Sequence, residues 1–351
     1  MELRRILYAF IGLFLFILSI VILKDSTKFL LPLFETYIPH VDSPIASFGF
    51  GWFLSYVMLS GAPPAILSLN LLHVGVLTTV SSYMMVMGTR FGAAFILVLI
   101  GLLEYFRGRS DSLADSTSIA FLSFIITYTV FVPALFLGRI FLSSPLIDMS
   151  IYSPGFLVFG IDGFFSVFSS RFLSLLGALP SFFASLFLLV IGLSVFNKTF
   201  ENIEPYRFKS SIIAFAMRHK WYSFFIGVFI TLISGSVSIS LGVLVPLYNL
   251  GYLERKNLIP YIMGANVATF ISHFVASMLL ESSIAFNLVL AATVASLIIT
   301  LIYLYFYGYY SKFIKKSINF ILLRPSLLII FTLFLIAFPL SLIILGSIIS
   351  I

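Results

Sequence analysis

From Gly51 to Leu103 the only full charge is Arg90. A stretch this long with one formal charge cannot cover a water-soluble domain, in which about a quarter of residues are charged. It is long enough for more than two passes of about 20 residues each through a hydrocarbon core. The rest of the chain agrees: of 351 residues, 61% are hydrophobic and 9% charged, and mean hydropathy is +1.16. Hydrocarbon offers the backbone no hydrogen-bond partner, so apolar runs of this length are expected to be helices. The sequence therefore predicts an all-α integral membrane protein with little outside the bilayer. The 41 Phe and 17 Tyr fit lipid-facing surface and interfacial anchoring.

Composition also excludes function classes. There is no cysteine, hence no disulfide framework and no thiolate metal site. His40, His73, His219 and His273 are scattered, and none forms an i, i+4 pair flanking an acid. No Ser/His/Asp constellation is visible, so no enzyme, catalytic residue or organic cofactor is expected, and no metal beyond a sodium ion. The net charge of +7 is what basic cytoplasmic loops leave behind. It is not read as a nucleic-acid footprint.

Arg4 and Arg5 precede an apolar run from Ile6 to Leu23, and no small-x-small cleavage site follows before Lys24-Asp25. A retained first helix is expected, starting in the cytoplasm, rather than a signal peptide. Residues 1–45 are thus a first transmembrane helix (about 5–23) and an outer connection. Residues 46–138 form a first repeat, with a re-entrant hairpin and crossings at 81–106 and 116–138. Residues 139–171 are an outer interfacial segment. Residues 172–220 are a crossing and a cytoplasmic loop. Residues 221–310 form a second repeat, and 311–351 a basic cytoplasmic loop with a final helix, 326–350. The count is about seven full crossings plus two re-entrant hairpins. The C-terminus is placed outside, and the location is the cell (plasma) membrane. Lipid bilayer is the one certain surrounding, and the chain leaves room for a homo-oligomer.

The repeats rest on an offset of 176 that holds without a gap: Gly51 pairs with Gly227, Ser55 with Thr231, Ser60 with Ser236, Gly75 with Gly251, Leu77 with Leu253 and Gly88 with Gly264. Each unit is broken in its centre, at Ser60-Gly61-Ala62-Pro63-Pro64 and at Ser234-Gly235-Ser236-Val237-Ser238. Pro and Gly stop a continuous helix there. Duplicated membrane units with broken centres are a transporter signature. The first unit begins outside and the second inside, so the two are inverted. The charged turn Glu254-Arg255-Lys256 then lies inside, and its uncharged counterpart Thr78-Thr79-Val80 outside.

If the crossing starts near Val80, Arg90 lies about 15 Å deep, at the midplane of a core of about 30 Å. A charge there costs at least about 2.5–3.5 kcal/mol on insertion scales. Glu104, Glu254 and Glu281 are not at that depth, which leaves Arg90 to an anionic ligand, phosphate or carboxylate, or to freed backbone carbonyls. Helix starts at the breaks favour anions and helix ends favour cations. The candidate substrate-binding residues are Ser60, Gly61, Arg90, Ser236, Ser238 and Asn266. The candidate cation-binding residues are Thr231, Ser236, Ser240, Asn266 and Thr269, whose oxygens suit Na⁺. The competing role for each hydroxyl is a bond back to its own helix. His73 and His273 are expected at the interfaces.

At these residues the chain resembles the sodium–phosphate cotransporter family, of the type II, NptA-like kind. That family carries G-x-x-x-T-x-x-x-Q-S-S-S and G-A-N-x-G-T in each of two inverted repeats. Here the second repeat gives Gly227, Thr231, Gly235-Ser236-Val237-Ser238 and Gly264-Ala265-Asn266-Val267-Ala268-Thr269. The first repeat is further away, with Gly51, Ser55, Ser60-Gly61-Ala62 and Gly88-Thr89-Arg90-Phe91-Gly92-Ala93. The resemblance implies sodium-coupled symport of inorganic phosphate by alternating access at a midplane site, with sodium as coupling ion. Both glutamines and several serines of that pattern are replaced, which marks a divergent member. The alternatives are transport of another small anion with proton or no sodium coupling, or a transport-dead membrane sensor or assembly protein.

Overall fold

The apolar runs fold as helices, and among the described residues there is no strand. The computed structural model describes residues 2–37, 43–106, 113–144, 155–199, 217–237, 240–241, 253–322 and 325–349. In chain order the helices are α1 Glu2–Tyr37, α2 Pro44–Val57, α3 Ala62–His73, α4 Thr79–Phe106, α5 Leu113–Leu142, α6 Gly155–Leu176, α7 Ala178–Asn197, α8 Lys220–Ser234, α9 Arg255–Ala268, α10 Ile271–Leu279, α11 Ser283–Tyr305, α12 Tyr307–Leu322 and α13 Pro325–Ile349. Six spans are long and apolar enough to cross a membrane, within α1, α4, α5, α7, α9 with α10, and α11. The seventh expected crossing is α13, which runs over 25 residues.

Local chemistry sets the element ends. Ser43 accepts a bond from Ala46 N and Pro44 opens the first turn, a paired start signal for α2. Ser282 caps α11 by accepting from Ala285 N at 3.2 Å. At the end of α2, Ser60 N donates to Ser55 O (3.1 Å) and Leu59 N to Tyr56 O (3.3 Å). This double closure normally seats glycine in the left-handed region. Here Leu59 holds it, with φ +48. Its counterpart 176 residues on is Gly235, with φ +65.

Two stretches differ from expectation, 24–37 and the chain after residue 310, and a third, 139–171, gains detail. Residues 24–37, read as an outer connection, continue α1. Their polar groups are carried inside the helix, because Ser26 and Thr27 donate to Ile22 O and Leu23 O, both one turn back. Asn70 Nδ2 also donates to Thr27 Oγ1 at 2.7 Å, and Ser169 Oγ to Asp25 Oδ2 at 2.6 Å. Most of the segment 139–171 is helical, with α5 running to Leu142 and α6 packing Phe165 against Leu18, Val21 and Ile22 of α1; residues 145–154 lie outside the described residues. Gly177, with φ +79, separates α6 from α7. The basic loop after residue 310 is helix α12. Tyr310, Ile314 and Ile318, four residues apart, are buried on one face while Lys312, Lys315 and Lys316 are exposed. At 24–37 and after residue 310, polar side chains marked a connection and a loop, and helical periodicity decided otherwise.

The packing repeats the offset of 176. Helices α7, α8 and α9 begin that many residues after α1, α2 and α4. A Cβ on Gly51 would run into Met85 O of α4, and one on Gly227 into Tyr261 O of α9. Likewise Gly88 faces Phe48 O, and Gly264 faces Phe224 O. Both of these glycine contacts of the pair α2/α4 thus recur, residue for residue, in α8/α9. Small residues at such crossings let backbones touch, the packing that membrane helices favour. Helices α1 and α7 pass each other antiparallel, Gly12 against Phe196 and Gly192 against Phe16.

Candidate functional site

Both breaks sit where the paired helices stop short. In the first, α2 ends at Val57 and α3 begins at Ala62, with prolines in the first turn of α3. In the second, α8 ends at Ser234 and Gly235 N donates to Thr231 O at 2.7 Å. The third discontinuity is inside the span that holds Asn266. Helix α9 stops at Ala268 and α10 restarts at Ile271, after a turn at Thr269-Phe270. Helix α4 runs on through its equivalent position, Arg90.

A cavity of about 880 Å³ joins these places. Ser60, Gly61, Arg90, Ser236, Asn266 and Thr269 line it, all of them singled out in the sequence. Ser123 and Thr127 of α5 and Ser194 and Asn197 of α7 add polar groups, while Phe182, Leu186 and Val190 of α7 form an apolar wall. Thr231 and Ser240 do not reach the cavity. Thr231 Oγ1 donates to Ser240 Oγ (2.8 Å), and Ser240 Oγ meets Tyr261 OH at 2.6 Å, which ties the second break to α9. Ser238 lies outside the described residues.

Arg90 is only 4% exposed. Its Nε and Nη2 each approach Thr89 Oγ1 at 3.4 Å, and Nη2 lies 3.4 Å from His273 Nε2. The guanidinium also sits over the Phe270 ring, 5.5 Å from its centroid. Among the described residues no carboxylate pairs with it. Asn266 is better satisfied. Its Nδ2 donates to Thr127 Oγ1 at 3.0 Å, and its Oδ1 lies 3.4 Å from the same hydroxyl. Residue 266 is thereby fixed to α5, and residue 90 is not.

His273 is fully buried beside Arg90, not interfacial. Its Nδ1 is 3.1 Å from Ser272 Oγ. With an arginine donating to Nε2, that nitrogen acts as the acceptor. Sequence reasoning missed this contact, and it missed Ser123 and Thr127. Helical spacing gave no signal for His273, because the turn at Thr269-Phe270 separates it from Asn266. No spacing signal marks Thr127, which reaches the site from another helix. Away from the cavity, Glu254 and Lys256 pair at 2.7 Å on the exposed start of α9. The Lys256 ammonium holds the Glu254 carboxyl below its usual range by hydrogen bond and charge.

Broken helices, a buried arginine and a hydroxyl-lined cavity inside apolar spans define an all-α membrane protein with an internal polar site. Residues 188–344 match the family model described as Na+/Pi-cotransporter. Over that range, a little under half of its length, the chain is similar to the sodium–phosphate cotransporters. The range takes in the second break, Asn266 and His273, and leaves Arg90 outside. No curated protein and no solved structure matches the chain.

Proposed function

We propose that this chain is a type II-like sodium–phosphate symporter that works by alternating access about a site between two inverted repeats. One observation carries the reading: residues from both breaks, Ser60 with Gly61 and Ser236, line one cavity with Arg90 and Asn266, the two positions related by the offset of 176. The inverted arrangement draws support from the antiparallel passage of α1 and α7, helices whose starts are separated by that same offset. In this reading α2 with α3, and α8 with the chain that follows it, are re-entrant hairpins whose tips meet at mid-depth. Phosphate sits among Ser60, Gly61, Arg90, Ser236, Ser238 and Asn266, where helix-start amides and the guanidinium favour an anion. Sodium is held by hydroxyl and carbonyl oxygens around Thr231, Ser236, Ser240, Asn266 and Thr269. The N-terminus is cytoplasmic and the C-terminus outside.

The test is uptake of labelled phosphate into proteoliposomes under an inward Na⁺ gradient, against an equal K⁺ gradient. Accumulation driven by Na⁺ alone is expected. No uptake by inserted, folded protein would overturn the proposal.

A further inference from the structure

Any anion site inside apolar spans needs positive charge, and the structure offers one at a fixed place. Arg90 lines the cavity while nine-tenths buried, and among the described residues its partners are neutral: a threonine hydroxyl, an imidazole nitrogen accepting its bond, and an aromatic face. The three polar contacts, each at 3.4 Å, are longer than good charge-assisted bonds of about 2.7–2.9 Å. Gly61 at the first break gives the guanidinium its room: a Cβ there would stand 2.8 Å from Nη2 and 2.9 Å from Thr89 O. The partner position in the other half, Asn266, is already engaged by Thr127.

We propose that Arg90 is the permanent positive charge of the anion site, so that an oxyanion such as phosphate is held there without a sodium ion. This rests on the phosphate reading above and adds the identity of the counter-ion. A guanidinium presents paired N–H groups that match two oxygens of a tetrahedral anion, which a spherical cation does not. It also repels a second cation at close range in this low-dielectric setting. Sodium therefore binds away from Arg90 and acts on the conformational change rather than on anion affinity.

The experiment is equilibrium binding of radiolabelled phosphate to the full-length chain in lipid nanodiscs, in sodium chloride and in N-methyl-D-glucamine chloride. The wild type is expected to bind in both salts with affinities within about threefold. Arg90→Gln should weaken binding on the order of 100-fold in both, as expected on losing one partner of a buried charge pair. Arg90→Lys, which keeps the charge without the paired geometry, should fall between them. Wild-type binding that requires sodium would overturn the inference and leave the phosphate reading standing. So would undiminished binding by Arg90→Gln. Absence of phosphate binding in either salt would bring down both. If Arg90→Gln fails to fold, the wild-type comparison of salts and Arg90→Lys still decide.

Discussion

Asn266 and Thr127 form the tightest polar link between the two halves at the cavity, joining α9 to α5. Either residue alone leaves the other's hydrogen-bonding group buried and unpaired. Asn266→Ala and Thr127→Ala should each lower the thermal midpoint in detergent. A double-mutant cycle should give a coupling of about 1 kcal/mol, typical of membrane side-chain bonds. Additive effects would show that the link is not energetically real. Arg90 was legible in the sequence because a lone charge in 53 residues stands out by count. His273 was not, because one histidine in an apolar run has no distinguishing context until a partner helix comes against it. Asn266 was found through its motif, whereas Thr127 resembles every other threonine that bonds within its own helix.

At the scale of elements, Leu59 and Gly235 occupy equivalent left-handed positions at the two breaks. A leucine there is disfavoured by about 1–2 kcal/mol relative to an ordinary backbone, and glycine is not. Leu59→Gly is expected to raise stability by about 1 kcal/mol, and Gly235→Leu to lower it by at least as much. Thermal unfolding of the two variants measures this, and a destabilised Leu59→Gly would show that the side chain packs against something essential. The glycine crossings give a sharper pair of expectations. Gly51→Ala and Gly227→Ala press a methyl into the same kind of carbonyl. Each should destabilise by about 1–3 kcal/mol, and by similar amounts. The helices themselves were largely readable from hydropathy. Their ends were not, because Ser26, Thr27 and the lysines of α12 are polar residues that a helix carries at no loss. A hydroxyl bonds the preceding turn, and an amphipathic face leaves ammonium groups in water.

At the scale of the whole molecule, the absence of cysteine makes topology directly measurable. Thr78→Cys and Glu254→Cys would each carry the only thiol, at exposed positions related by the offset of 176. Inverted halves predict that a membrane-impermeant maleimide labels the first from outside intact cells and the second only after permeabilisation. Labelling of both from one side would rule out inversion. The duplicated architecture was legible because its glycines and breaks recur at one spacing. The cavity's size and its apolar wall from α7 were not, since no local pattern records which distant helices face each other.

The glycines described at the crossings have a mechanical consequence. Where backbone rests on backbone, as in α2 against α4 and α8 against α9, there is no layer of side chains to slide or re-sort. Each pair behaves as one beam. Long side chains instead fill the seam of α5 against α11 and α12, where Tyr303 of α11 stacks on Tyr310 of α12 and both hydroxyls reach Thr129 of α5. Such seams can shear by small steps without opening voids. The polar residues of the cavity are distributed across these beams, with Ser60 just past the end of α2 and Ser236 just past the end of α8.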